Sequence, residues 1–477
     1  MSHELEFFID GDWVAPAVAR DFAVINPATE EQIAVISLGS KVDVDRAVAA
    51  ARKAFETYSL TSVSERLRLL DHLIAAYTRR QEDLAVAIST EMGSPIDWAR
   101  TAQAPAGLDH LVEARDVLAT YDFSEELKST RVVREPIGVC GLITPWNWPA
   151  NQVMAKLAPA LAVGCTVVLK PSEISPLSAL IIAEMVEEAG YPAGVFNLIN
   201  GDGPGVGDAM TRHPGIDMVS FTGSTRAGIL VAKNAAETVK RVSQELGGKS
   251  PHIVFGDVNF EESVARCARR CFSNSGQTCI APTRLLVPAE RMDEAVAIAS
   301  SVANKIIVGN PTSPETQMGP LANAVQFKKV QELIASGVEE GATLAAGGIG
   351  RPSGLDRGYF VQATVFGNVK PEMQIAKEEI FGPVLSIIGF QDEDDAIQIA
   401  NDTPYGLSAN VSCHDLKKAE RVARRIRAGM VHVNNAPMDA SAPFGGYKQS
   451  GNGREQGKYG FEDYVEIKSI FGLQRQP

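Results

Sequence analysis

The sequence predicts an α/β protein with two parallel sheets and a small β element beside them. Three observations carry this. From Gly138 to Glu245, continuous apolar runs of strand length alternate with helix-length segments, the pattern of strands buried on both faces. After Cys279 a second alternation runs to about Pro443. Glu125–Glu135 is polar and strand-like and Tyr464–Leu473 alternates, so both read as edge strands suited to pairing with another subunit.

In chain order, short β pieces around Phe7-Phe8-Ile9 and Phe22-Ala23-Val24-Ile25 are broken by Gly11-Asp12 and Asn26-Pro27. Val44, Val48, Ala51, Phe55 and Tyr58 recur at helical spacing and make one apolar stripe. The next helix opens on a capping box, Ser62-Val63-Ser64-Glu65, with Leu67, Leu70, Ile74 and Tyr77 on one face. A third ends at Met92, before Gly93 and Pro95. Val139–Ile143 is a buried strand broken by Pro145-Trp146-Asn147-Trp148-Pro149, and a helix covers roughly Ala150–Val163. Thr166–Leu169 is a strand ending at Lys170-Pro171-Ser172-Glu173, followed by a helix from Pro176 to Ala189. Val195–Ile199 ends in the glycine-rich Gly201–Gly207, Met218–Phe221 ends at Thr222-Gly223-Ser224-Thr225, and Val239–Val242 leads a fifth strand into Glu245. In the second alternation, strands are expected at Leu285–Val287, Tyr359–Val361 and Val384–Ile388, with a helix from Asp293. In parallel sheets ligands bind beyond the carboxyl ends of the strands, where the unusual residues here fall.

The chain has 477 residues, enough for two or three domains, and a formal net charge of −13. An acidic surface repels polyphosphate and argues against nucleic acid as a partner. The start, Met1-Ser2-His3-Glu4-Leu5-Glu6, lacks a basic and then apolar leader. The longest mostly apolar run, Leu157–Leu169, is too short to span a bilayer and contains Pro159 and Gly164. The six cysteines are scattered, without paired ligand spacing or a histidine cluster, so neither a metal site nor a disulfide framework is expected. A reducing cytoplasmic setting is the expectation.

Chemistry concentrates in the stretch from Glu245-Leu246-Gly247-Gly248-Lys249 to Gly276-Gln277-Thr278-Cys279. A carboxylate and a thiol stand at its ends beside glycines, and a reactive thiol calls for an exposed, mobile-backbone setting. Cys267 and Cys271 share a helical apolar face with Val264, Ala268 and Phe272 and read as core. Cys279 lies outside any such stripe, and its local context leaves both core cysteine and nucleophile open. Lys170-Pro171-Ser172-Glu173 fits a solvated turn or a ribose site. Gly201–Gly207 does not match the dinucleotide fingerprint G-x-G-x-x-G. Thr222-Gly223-Ser224-Thr225 fits a plain helix cap or a pyrophosphate site.

Taken together, seven motifs occur in order: Pro145-Trp146-Asn147, Lys170–Glu173, Phe221–Thr225, Glu245–Lys249, Gly276–Cys279, Glu378-Glu379-Ile380-Phe381-Gly382-Pro383 and Pro443-Phe444-Gly445-Gly446-Tyr447-Lys448. In this arrangement the chain closely resembles the aldehyde dehydrogenase superfamily over essentially its whole length. The resemblance implies a Rossmann-like NAD-binding domain (1–121 and 138–247), an α/β catalytic domain (248–457) and a small β bridging and oligomerisation element (122–137 and 458–477), in a homodimer or homotetramer. It implies that Cys279 is the nucleophile, that Asn147 and the Cys279 N–H hold the oxyanion, that Glu245 activates the hydrolytic water and that Lys156 helps relay protons.

For the cofactor, the resemblance implies contacts from Ile143, Thr144, Pro145, Trp146, Lys170, Ser172, Glu173, Gly203, Gly207, Phe221, Gly223, Ser224, Leu246, Gln326, Glu379 and Phe381. Glu173 favours NAD over NADP. The substrate funnel is expected at Trp148, Asn151, Gln152, Thr278, Ile280 and the loop Ala436–Ala442. Asn151 and Gln152 point to a polar or bulky aldehyde, and no arginine stands out for a dicarboxylate semialdehyde. Two other readings compete: a cysteine-dependent esterase or hydrolase, and a non-catalytic binding protein on the same fold. The first has no use for Lys170, Glu173, Ser224 and Glu379, and intact Cys279, Glu245 and Asn147 speak against the second.

Overall fold

The computed structural model describes residues 3–473. Met1 and Ser2 of the leader reading, and the last four residues of the 458–477 segment, lie outside the described residues.

Among the described residues the largest sheet has eight strands, in the order Gly451–Asn452, Arg241–Glu245, Met218–Thr222, Val139–Ile143, Thr166–Lys170, Phe196–Leu198, Phe7–Ile9, Asp12–Val14. The five from Arg241–Glu245 to Phe196–Leu198 are parallel. Val139–Ile143 comes first of these in the chain. The next two strands add on one side of it and the last two on the other, so the order reverses there. Its loop, Thr144–Trp148, therefore opens into the crevice such a reversal creates.

A second sheet has seven strands, in the order Thr343–Ala346, Thr364–Gly367, Val384–Phe390, Arg284–Pro288, Pro251–Val254, Ser408–Ser412, Met430–Val433. All its pairs are parallel except the first. The chain passes from one sheet to the other between Glu245 and Pro251, inside the stretch that carries the chemistry. The third sheet is antiparallel: Val465–Phe471 pairs with Thr130–Pro136, which pairs with Ser124–Leu127.

The helices follow the apolar stripes. Lys41–Tyr58 buries Val44, Val48, Ala51 and Tyr58. Val63–Arg79 is capped by the Ser62 hydroxyl, which accepts from the Glu65 N–H. Its buried face is Leu69, Leu70, Leu73, Ala76 and Tyr77, with Leu67 and Ile74 only half-buried at the edge. Gln81–Met92 stops at Gly93, whose φ of 81° ends the helix. Cys267 and Cys271 are fully buried in a core with Val264 and Phe272. No helix among the described residues is long and apolar enough to cross a membrane.

Two expected strands are corrected. Tyr359–Val361 is not in a sheet: the Tyr359 N–H donates to Pro27 and its carbonyl accepts from Leu321, so the strand forms later, at Thr364–Gly367. The fifth strand of the large sheet starts at Arg241, because Val239 sits at φ 56°, is 91% exposed and closes a short helical turn. Pro251–Val254, Ser408–Ser412 and Met430–Val433 were not anticipated, since short strands holding serine, asparagine and histidine lack a continuous apolar signal.

Candidate active site

The thiol is presented by an unusual turn. Helix Phe260–Phe272 packs its cysteine-bearing face into the core, and the chain then runs through Asn274, Ser275 and Gly276 at φ of 53°, 54° and 72°. Consecutive left-handed residues are costly and persist where the surroundings dictate them. Here the Ser275 hydroxyl donates to Gly319 O at 2.8 Å, and the Gln277 side-chain oxygen accepts from Ala322 N at 2.9 Å. A Cβ on Gly276 would lie 2.1 Å from the Gly382 backbone, so this turn is locked against the Phe381–Pro383 loop. Cys279 is half-buried, and its carbonyl lies 2.4 Å from where a Gly248 Cβ would be. The two ends of the Glu245–Cys279 stretch thus meet. The expected mobile, exposed setting is corrected: the nucleophile loop is tied down on both sides.

Asn147 is held from three directions. Its side-chain amide donates to Gln277 O at 2.9 Å, leaving a second N–H. Its carbonyl accepts from Asn274 Nδ2 at 3.0 Å and from Gln103 Nε2 at 3.2 Å. Gln103 ends a π-turn, Ala99–Gln103, and also donates to Asn274 Oδ1 at 2.9 Å. Sequence reading missed Gln103 and Asn274. A wide turn inside a helical run leaves no compositional trace.

Glu245 ends its strand 3% exposed, and neither carboxylate oxygen has a partner among the described residues. Burial raises its pKa well above the carboxylate range, with the nearby Glu455 adding to the shift and Lys156 opposing it. Gly445 makes room for it, since a Cβ there would fall 2.6 Å from Glu245 Oε1. Lys156 is fully buried and pairs with Glu455, a residue the sequence did not single out. Burial likewise raises the Cys279 thiol, helped by the charges of Glu379 and Glu245.

Two cavities meet at the thiol. The first, about 270 Å³, is lined by Pro145, Trp146, Asn147, Gly223, Ser224, Leu246, Gln326, Glu379 and Phe381 of the expected set. Thr222, Gly247 and Lys329 were not anticipated. Ser224 caps the helix Thr225–Ala235 by accepting from Ala227 N, so a helix N-terminus faces this cavity. The Trp146 and Phe381 rings meet edge to face at 5.5 Å. Gln326 donates to Ile380 O at 2.9 Å and Phe381 O at 2.7 Å, bracing that loop. Glu379 accepts from the Gly248 N–H at 2.8 Å.

The other expected cofactor residues fall outside this lining. Ile143, Thr144 and Phe221 are buried at the strand ends. Lys170, Ser172, Glu173, Gly203 and Gly207 form a separate group at the neighbouring strand end. There the Lys170 ammonium donates to Gly201 O at 2.5 Å, Pro171 O at 2.8 Å and Glu173 at 3.4 Å, and a Cβ on Gly207 would come within 3.9 Å of the Lys170 methylenes.

The second cavity, about 200 Å³, is lined by all five expected funnel residues, Trp148, Asn151, Gln152, Thr278 and Ile280. Met438, from the expected Ala436–Ala442 loop, also lines it. Ala106, His110, Ala155, Phe444, Glu455 and Gln456 complete the wall. His110 was missed because it sits on a helix that reads as packing. The Trp148 indole donates to the Thr278 hydroxyl at 3.0 Å. Cys279 and Gln152 line both cavities.

The model of the aldehyde dehydrogenase family matches residues 13–470. A 3-succinoylsemialdehyde-pyridine dehydrogenase from a Pseudomonas species is 55% identical, over 98% of each chain. The crystal structure of a cysteine-to-alanine variant of aldehyde dehydrogenase C from Pseudomonas syringae, complexed with NAD+ and octanal, superposes with a TM-score of 0.99 at 53% identity, covering 100% of this chain and 98% of that one. Betaine aldehyde dehydrogenase from Staphylococcus aureus, in complex with NAD+, superposes with a TM-score of 0.96 at 38% identity, covering 100% and 96%. With these matches and a thiol set between two cavities, the chain belongs to the aldehyde dehydrogenase family.

Proposed function

We propose that this protein oxidises an aldehyde to its carboxylic acid with NAD, through an acyl group carried on Cys279. The observation that carries this is the position of Cys279, which alone among the catalytic candidates lines both cavities. The first cavity suits the pyrophosphate and nicotinamide end of a dinucleotide: it offers a helix N-terminus at Ser224, the buried Thr222 hydroxyl with no partner among the described residues, and a wall of Trp146 and Phe381. Pro145, Leu246, Glu379 and Gln326 would hold the nicotinamide end. Ile143, Thr144, Phe221 and Gly223 shape the floor, and Lys170, Ser172, Glu173, Gly203 and Gly207 the adenosine end. The Glu173 carboxylate would repel a second ribose phosphate, which supports NAD over NADP. When bound, the dinucleotide supplies the two-electron acceptor.

The chain's own residues do the rest. The Cys279 sulfur adds to the aldehyde carbon, and the free N–H of Asn147 with the Cys279 backbone N–H receives the oxyanion. Oxidation of the adduct leaves a thioester. Glu245, whose oxygens have no partner among the described residues, takes the proton of the water that hydrolyses it. The Lys156–Glu455 pair gives that proton a charged neighbour to pass to. The direct test is NADH formation from a panel of aldehydes, with NADP run in parallel. No reduction with any of them would remove this reading and leave the esterase or hydrolase alternative to be tried with an activated ester.

A homodimer or homotetramer is supported by the outer strand Val465–Phe471, which shows Ile467 and Phe471 to solvent at 68% and 78%. Light scattering after size exclusion decides it. The split into a cofactor-binding part (1–121 and 138–247), a catalytic part (248–457) and a bridging part (122–137 and 458–477) is supported by the three larger of the four sheets among the described residues, although Gly451–Asn452 adds to the first. A reducing cytoplasmic setting is supported by the six unpaired cysteines.

A further inference from the structure

His110 and Asn151 form a hydrogen-bonded pair in the wall of the second cavity, with His110 Nε2 2.8 Å from Asn151 Oδ1. His110 comes from helix Ala104–Thr120 and Asn151 from the first turn of Pro149–Val163. The Asn151 oxygen can only accept, so His110 Nε2 carries the hydrogen of this bond, and burial, which lowers the His110 pKa, favours the neutral ring. That contact holds the oxygen on the histidine side and fixes which way the amide faces. The free end of Asn151 is its NH2, two donors at a cavity wall.

The rest of the wall is mostly apolar, with Trp148, Ile280, Met438 and Phe444. No lysine or arginine is among the described residues lining it, and its one carboxylate, Glu455, already has Lys156. An anionic tail would meet no cation here. A wholly apolar tail would strip water from the Asn151 amide and return nothing. Gln152 Oε1, buried at the junction with the thiol, also lacks a partner among the described residues, so the polar character runs from Asn151 toward Cys279.

We infer that Asn151, oriented by His110, is a specificity-determining residue that selects aldehydes with an apolar or aromatic body and a neutral hydrogen-bond acceptor, a ketone oxygen or a ring nitrogen, beyond the reacting carbon. The inference rests on the proposed aldehyde oxidation. A site built to hydrogen-bond its substrate discriminates against the analogue lacking the partner more sharply than an apolar site discriminates by size.

The experiment measures kcat/KM with NAD for a γ-keto aryl aldehyde, its γ-methylene analogue and octanal. The wild type prefers the keto aldehyde to its analogue by about tenfold, the worth of one hydrogen bond that would otherwise be left unmade. Asn151→Leu slows the keto aldehyde and speeds the analogue and octanal, so the preference reverses. A folding defect cannot do this, because it slows all three. In His110→Phe the amide loses its anchor as a positioning effect, and KM for the keto aldehyde rises while kcat changes little. A wild type that oxidises octanal without a keto preference overturns the inference and leaves the activity standing, as does an Asn151→Leu variant with the wild-type melting temperature that keeps the wild-type preference. A wild type that turns over none of them removes the activity reading and the inference with it.

Discussion

Lys156 and Glu455 form an ion pair that is buried next to Glu245, itself a carboxylate with no hydrogen-bond partner among the described residues. Three ionisable groups share one low-dielectric pocket, and only two of them are paired. Removing the cation leaves a buried carboxylate alone, which costs about 3–5 kcal/mol. Lys156→Met is therefore expected to lower stability by that order in denaturant titration. Adding Glu455→Gln should recover part of the loss. A double variant as unstable as the sum of the singles would break the coupling.

The same arrangement sets a pH dependence. Burial and neighbouring carboxylates raise both Cys279 and Glu245, so their protonated forms persist to higher pH than in water. The reacting forms are the thiolate and the carboxylate. Turnover is thus expected to rise from neutral into alkaline pH, with kcat/KM against pH reading Cys279 and kcat against pH reading Glu245. Lys156 lowers the Glu245 pKa, so Lys156→Met should move the rise further alkaline. A flat profile from acid to neutral pH would contradict the raised pair.

Roles of the thiol and the carboxylate separate in the first turnover. Cys279→Ala should form no NADH while still binding the dinucleotide in a fluorescence titration. Glu245→Gln should release one equivalent of NADH per site and then stall, because the thioester forms but its water has no base. Full steady-state turnover by either variant counts against its assignment.

Gly276→Ala tests the left-handed turn. The substitution meets the Gly382 backbone at 2.1 Å and adds about 1–2 kcal/mol for a left-handed non-glycine residue. Melting temperature should fall, and activity should fall further, since the turn positions both Cys279 and the Phe381–Pro383 loop. An active, fully stable variant would show that the loop yields.

Gln326 contributes through the loop it braces. Gln326→Ala removes two hydrogen bonds to the Ile380 and Phe381 carbonyls, together worth about 1–2 kcal/mol net. KM for NAD is expected to rise by roughly tenfold. The rate at which a small thiol reagent labels Cys279 should not change, since Gln326 does not touch it.

The order of motifs made the family and the two-sheet plan legible, because strands buried on both faces must be continuously apolar and the chemistry sits at their ends. Glu245, Asn147, Cys279 and the five funnel residues were named through the resemblance those motifs carry, for Asn151 and Gln152 lie inside helix Pro149–Val163 and mark no break of their own. The sequence by itself determined the family and which side chains are candidates for the reaction, since the ordered motifs, and not any one local context, single them out. Only the tertiary structure decided what surrounds them. Gln103 reaches Asn147 from 44 residues away and Glu455 reaches Lys156 from 299. His110 meets Asn151 because two helices pack side by side. Such contacts have no local signature, for they arise where elements distant in the chain cross and must satisfy each other's buried polar groups.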